Sequence, residues 1–192
     1  MEKIKIKNVN IKELAASLNK GKIIVCPTDT VYGMICDVRN KKSVNKLFEI
    51  KMRDKQKFIP FFVKDIKMAK SLAKVNKEQN SFLKTAWPGE ITVILERKKG
   101  KKLYGINNNK IALRVPDHKL IKDLFKNINF PLSGTSANVS NKKSAISGKE
   151  VINQFKDNKI LPDLIIDGGR LNKRKPSTIF DLTVKPFKIL RQ

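Results

Sequence analysis

Apolar residues along this chain fall into short patterns separated by polar stretches. Ile11, Leu14, Ala15 and Leu18 recur at helical spacing, and Gly21 closes that helix. Ile23, Ile24, Val25 and Cys26 form an unbroken apolar run that predicts a buried strand over 22–26, stopped by Pro27. Asn40 is placed to cap a helix whose apolar stripe is Val44, Leu47 and Phe48. Further strands are predicted over 59–63, 91–96, 111–115, 164–166, 178–182 and 187–190, with an extended stretch over 130–134. Helices are predicted over 66–72, 77–86, 120–125 and 149–155. Helices and strands mingle without strict alternation and the chain closes on consecutive strands, which predicts an α/β fold with a mixed rather than wholly parallel sheet.

Composition narrows the class. A length of 192 residues suits a single domain, 1–192, and 40% hydrophobic with 31% charged residues is ordinary for a globular chain. The opening MEKIKIKNVN lacks the apolar core of a signal peptide, and no uncharged apolar run approaches a membrane span, so the expectation is a cytoplasmic protein without membrane association. Cys26 and Cys36 are then expected as free thiols. Against 17 acidic residues stand 42 Lys and Arg, a net charge of +25. Such charge suits a surface for polyanions and equally suits codon drift toward Lys, Asn and Ile. Because the lysines are spread along the chain, charge alone assigns no function.

Several chemistries lack their motifs. Neither GxxxxGKS/T nor GxGxxG occurs, and a single histidine, His118, argues against a His-rich metal site or a His-dependent triad. In VPDHKL, His118 reads as a first-turn surface residue. Trp87 in WPGE reads as a packing anchor before a turn.

Four stretches carry candidate chemistry. In PTDTVYG, residues 27–33, the polar Thr28, Asp29, Thr30 and Tyr32 sit between apolar segments and so belong at the rim of a core; Tyr32 alone also reads as a core aromatic. Lys51 continues the stripe of Val44, Leu47 and Phe48, whereas a helical Arg53 would point nearly opposite. The pair meets one ligand only if the helix ends near Met52 and Arg53 lies in the loop. Otherwise the two are a solvated helix end contributing little to stability. PLSGTSANVS runs a strand into Gly134 and can set Ser136 and Asn138 on one face, or form a simple polar turn. GGRLNKRKPSTIFDLT turns at Gly168 and Gly169 and starts a strand at Ser177, and the chain ends ILRQ with Arg191.

In their order and spacing, PTDTVYG, FEIKMR, WPGEITVIL, ALRVPDH, PLSGTSANVS, PSTIFDLT and the terminal ILR resemble the YrdC-like family of threonylcarbamoyl-AMP synthases, from Lys22 to Arg191. The resemblance implies a twisted mixed β-sheet flanked by helices, with a basic concave active-site cavity, in a short form carrying the catalytic domain only. It implies a nucleotidyltransferase that makes L-threonylcarbamoyl-adenylate from L-threonine, bicarbonate and ATP with release of pyrophosphate. That product feeds a downstream threonylcarbamoyl transferase in tRNA modification beside the anticodon. By motif match, Lys51 and Arg53 are the catalytic cations, and Lys51, Arg53, Asn138 and Arg191 would contact ATP. Thr30, Tyr32, Arg114, Ser136 and Ser177 would hold threonine, Arg114 pairing its carboxylate. Mg2+ is implied as cargo of ATP, with no metal site of the protein's own.

The chain departs from the family pattern at Asp54, where proline usually follows the KxR, and at Phe58, another proline position. Phe62 falls where some members place a histidine. Two other readings compete. One is a non-catalytic double-stranded RNA- or tRNA-binding maturation factor, against which the lack of an RNP or KH motif counts. The other is a carbamoyl-adenylate enzyme of hydrogenase maturation, normally part of longer zinc-bearing chains. Weak non-specific RNA binding is expected from the charge alone.

Overall fold

The computed structural model describes residues 1–106, 109–172 and 175–192. The chain opens with an edge strand, β1 (Glu2–Lys5), and a short 3-10 turn, Ile6–Asn8. Asn10 then caps α1 (Ile11–Asn19), its side chain accepting from the amides of Lys12 and Glu13. The buried β2 (Ile24–Cys26) and β3 (Gly33–Ile35) flank the hydroxyl-rich loop. Asn40 caps α2 (Lys41–Ile50) in the same manner as Asn10. The middle of the chain supplies β4 (Phe61–Phe62), α3 (Ile66–Leu72), α4 (Lys77–Ala86), β5 (Ile91–Glu96), β6 (Lys110–Arg114) and α5 (Lys119–Phe125). It closes with β7 (Leu132–Ser133), β8 (Thr135–Ser136), α6 (Gly148–Phe155), β9 (Leu164–Asp167), β10 (Thr178–Asp181) and β11 (Lys188–Arg191).

The strands form two mixed sheets where the sequence suggested one. The first runs β1-β9-β2-β3-β8 and the second β11-β10-β5-β6-β4-β7. In the first, β9 is parallel to both β1 and β2, while β3 is antiparallel to β2 and β8. In the second, the pairs β10/β5 and β4/β6 are parallel and the rest antiparallel. Only Gly134 separates β7 in one sheet from β8 in the other. A Cβ at this position would lie 2.5 Å from Phe62 Cδ1, so only a glycine lets the chain pass beneath that ring. Hydrogen bonds stitch the seam: Ser133 N–H to the Cys36 carbonyl, Gly134 N–H to the Pro60 carbonyl, and Cys36 N–H to Ser133 Oγ.

Both faces of β2 are covered, which explains its unbroken apolar run. Val25 belongs on one side to the core that also holds Tyr32, Leu47, Phe61 and Val93. Ile24 and Cys26 pack with Leu14, Leu18, Leu120 and Leu124 of α1 and α5 on the other. Each such fully buried aliphatic side chain contributes about 1.5–3 kcal/mol. Cys26 and Cys36 are free and buried, and desolvation pushes both thiols up to about 12. Trp87 anchors its turn as expected, its indole N–H donating to the Ile91 carbonyl at 2.7 Å. Among the described residues no helix is long and apolar enough to cross a membrane.

Candidate functional site

At the seam lies a cavity of about 450 Å³ whose walls come from both sheets. The loop after β2 supplies Thr28 and Thr30; β6 and β11 supply Arg114 and Arg191; the stretch past Gly134 supplies Ser136; and Ser177, just before β10, completes the ring with Arg53.

The loop folds on its own hydroxyls. Thr28 Oγ1 donates to the Val31 carbonyl at 2.6 Å and accepts from the Thr30 amide at 3.2 Å. Within that frame Asp29 turns inward and forms a buried ion pair with Arg114, Oδ1 to Nη2 at 2.7 Å, while its Oδ2 accepts from the Asp117 amide. Arg114 also donates from Nε to the Gly89 carbonyl at 2.8 Å and from Nη1 to Thr30 Oγ1 at 3.2 Å. Three of its five N–H groups are thereby engaged, which leaves two for a ligand. Burial lowers the Arg114 pKa and Asp29 opposes that shift. The sequence reading gave Asp29 no role; the signal was there, a lone acid in an otherwise uncharged loop at a core rim.

The KxR segment separates its two cations by a backbone reversal. α2 stops at Ile50, the Met52 and Arg53 amides bond back to the Glu49 and Phe48 carbonyls, and Met52 takes φ +47°. This is the paired bond pattern of a left-handed helix C-terminus, here with methionine where glycine is usual. Arg53 consequently lies in the loop and lines the cavity, donating to the carbonyls of Lys57 and Phe58.

Lys51 corrects the sequence reading. It is not part of a solvated helix end but is 1% exposed, and it stands behind the cavity wall. Its stem follows the apolar stripe inward, and Nζ donates to the Ser136 carbonyl at 2.5 Å and the Asn138 carbonyl at 2.7 Å. Desolvation, with the Arg53 charge second, lowers its pKa to about 7. Asn138 also stands behind the wall. Its Nδ2 donates to the carbonyls of Val139 and Lys142, and its Oδ1 accepts from Ser136 Oγ at 2.5 Å. Tyr32 is a core aromatic away from the cavity surface, its hydroxyl donating to the Gly169 carbonyl and accepting from the Gly168 amide. These three candidates are buried and hydrogen-bonded within the protein, Lys51 through two of its three N–H groups, and are set back from the lining that holds Thr30, Arg53, Arg114, Ser136, Ser177 and Arg191.

Antiparallel pairing of β10 and β11 brings Arg191 onto Ser177: Nε and Nη2 donate to its carbonyl at 3.1 and 2.7 Å. Ser177 Oγ in turn pairs with Thr92 Oγ1 at 2.8 Å. Burial and then the Arg114 charge lower the Arg191 pKa, because the two guanidiniums face the same space. Phe58 and Phe62 both line the cavity, and Asp54 accepts from the Gln56 amide to shape the loop beside it. Lys57 is a lining cation that sequence reasoning did not single out. His118 is half-buried and lines a cleft with Asp29 and Asp117 that adjoins the cavity at Thr28 and Thr30. Lys173 and Arg174 of the last motif lie outside the described residues. Among the described residues, the cavity lining includes Arg53, Lys57, Arg114 and Arg191 and no carboxylate, and no group of three His, Cys, Asp or Glu could hold a metal ion.

The sequence model of the Sua5/YciO/YrdC family, described as telomere recombination, matches residues 16–192. A threonylcarbamoyl-AMP synthase of Pseudoalteromonas atlantica is 36% identical over 171 residues, covering 83% of this chain and 85% of that protein. The crystal structure of P. abyssi Sua5 complexed with L-threonine superposes with a TM-score of 0.85 at 28% identity, over 99% of this chain and 56% of that one. E. coli YciO shares the fold, with a TM-score of 0.84 at 24% identity, over 100% of this chain and 94% of that one.

Proposed function

The chain belongs to the Sua5/YciO/YrdC family, and from that premise we propose that it makes L-threonylcarbamoyl-adenylate from L-threonine, bicarbonate and ATP, as a cytoplasmic nucleotidyltransferase that serves tRNA modification. The observation that carries this reading is the convergence of three hydroxyls, Thr30, Ser136 and Ser177, with three guanidiniums, Arg53, Arg114 and Arg191, on one carboxylate-free lining. Three anionic groups have to be held: the threonine carboxylate, its carbamate and the ATP triphosphate.

The amine of threonine combines with bicarbonate, losing water, to give a carbamate. A carbamate oxygen then attacks the α-phosphorus of ATP, the bond to the bridging α–β oxygen breaks, and pyrophosphate leaves with that electron pair. No nucleophile from the protein is needed, so its work is positioning and charge neutralisation. The two unengaged N–H groups of Arg114 suit a carboxylate in bidentate contact. Arg53 and Arg191 are left to face the phosphates. Mg2+ would arrive on the phosphate oxygens of ATP, which fits a lining without acidic ligands. Lys51 and Asn138 act here by holding Ser136 in place, Lys51 through the backbone and Asn138 through the side chain.

Pyrophosphate release from ATP and bicarbonate with single amino acids tests the assignment. Threonine is expected to be the best substrate, serine about 10-fold or more slower, and valine slower still, since a site built for a hydroxyl rejects its absence most strongly. Equal rates with threonine and valine would remove the threonine pocket.

A further inference from the structure

Beyond the cavity, a second groove of about 660 Å³ opens on the opposite face of the same two strands. Phe62 ends β4 and Arg114 ends β6, and both line the cavity. The residues just past the two strands, Val63 and Val115, are buried beneath the groove instead, and the Val63 amide bonds to the Arg114 carbonyl. Ile66, Trp87, Ile121 and Phe125 complete an apolar floor, and Lys64, Lys67, Lys122 and Lys126 stand around it.

The charge at the rim selects the occupant. Lys122 is paired with Asp117 and Lys126 with Asp123, but among the described residues Lys64 and Lys67 have no acidic partner. Asp65 is the one carboxylate among the lining residues, and its Oδ1 is occupied in capping α3 through the Met68 amide at 2.7 Å. A second copy of this chain would bring the same lysines and a net charge of +25 against them. A phosphate backbone would answer the lysines but gain nothing from the apolar floor. We propose that this groove docks an acidic amphipathic segment of a partner protein, an apolar side chain seated over Trp87 and carboxylates reaching Lys64 and Lys67.

Trp87 is the single tryptophan of the chain, so its fluorescence reports on this groove. The intact protein is titrated with a short Leu/Glu peptide patterned as an amphipathic helix, and in parallel with a Leu/Lys peptide of the same pattern, a Ser/Glu peptide and an oligouridylate. The Leu/Glu peptide alone is expected to give a saturable change. Lys64→Glu/Lys67→Glu should weaken it at least about tenfold, Lys64→Gln/Lys67→Gln less, and the control Lys12→Glu/Lys20→Glu on α1 not at all; the control carries the same change in net charge. An equal response to the Leu/Lys peptide or the oligouridylate, no saturable response to Leu/Glu, or an unchanged affinity in Lys64→Glu/Lys67→Glu would overturn the proposal. So would a change that depends on protein concentration alone, which would mark the groove as a self-association surface.

Discussion

Lys51 and Arg53 stand two positions apart in opposite surroundings. Arg53 is half-exposed and bonds only to its own loop, so Arg53→Ala should change stability by no more than about 0.5 kcal/mol while lowering synthesis by about 10²–10³-fold. Lys51→Ala should instead destabilise the fold, because it leaves the buried Asn138 carbonyl unpaired, at about 1–3 kcal/mol, while the Ser136 carbonyl keeps only the Asn138 amide. Thermal melts of the two variants beside pyrophosphate assays separate these outcomes. The Lys51 environment also gives a pH signature. Its pKa is about 7 in the folded state against an ordinary 10.5, so above pH 7 the unfolded chain holds more protons and stability rises with pH. The buried thiols act in the opposite sense. Their pKa is raised from 9.0, so the unfolded chain loses those protons first and stability falls above pH 9. A maximum near pH 9 is therefore expected on the alkaline side, and Lys51→Met should flatten the rise that precedes it. A Lys51→Met melting curve with the same rise would assign the effect elsewhere.

At the scale of elements, the seam rests on Gly134. Gly134→Ala forces the Phe62 ring out of its place between Gly134 and Arg114, at a cost of about 1–3 kcal/mol, and disturbs the cavity wall that Phe62 forms. Adding Phe62→Leu should recover part of the lost stability in denaturant unfolding; no recovery would place the strain elsewhere. This crossing also marks how far the sequence could be read. All six helices fall within two residues of their predicted positions, because each carries an apolar stripe and most carry an Asn, Asp or Ser cap. The strand 91–96 was legible for the same reason, an apolar run bounded by polar turns. β1, β3 and β8 were missed: β1 is an exposed edge held by Lys3 and Lys5 on Asp167, and β3 and β8 adjoin the polar loops that frame the cavity. The division into two sheets was not legible, since it depends on which ring lies over one glycine. In the site, Thr30, Arg114, Ser136, Ser177 and Arg191 were legible through the family motifs that carry them, and all five line the cavity. The inward turn of Lys51, Asn138 and Tyr32 was not legible, because it depends on which backbone groups await them from distant segments.

Over the whole molecule the charge of +25 is not gathered at one place. The cavity and the groove both carry cations, so several phosphates can be neutralised without any base being read. Binding to tRNA is expected to weaken steeply with salt, log K falling by about 0.9 per duplex phosphate neutralised for each tenfold rise in salt, with no discrimination among tRNAs. Since the proposed reaction consumes no RNA, cognate tRNA should leave the rate of pyrophosphate release unchanged at physiological salt. Stimulation by cognate tRNA alone would move RNA recognition into this chain. The position of the cavity has one more effect. Its walls belong to two sheets whose strands β7 and β8 are joined through a single residue, so a ligand in the cavity would span that join. Substrates bound there act as a clasp, adding about 2.7 kcal/mol of cohesion at a hundred times their dissociation constant. Because degradation starts from opened chains, a well-fed cell would keep more of this protein than a starved one at equal rates of synthesis.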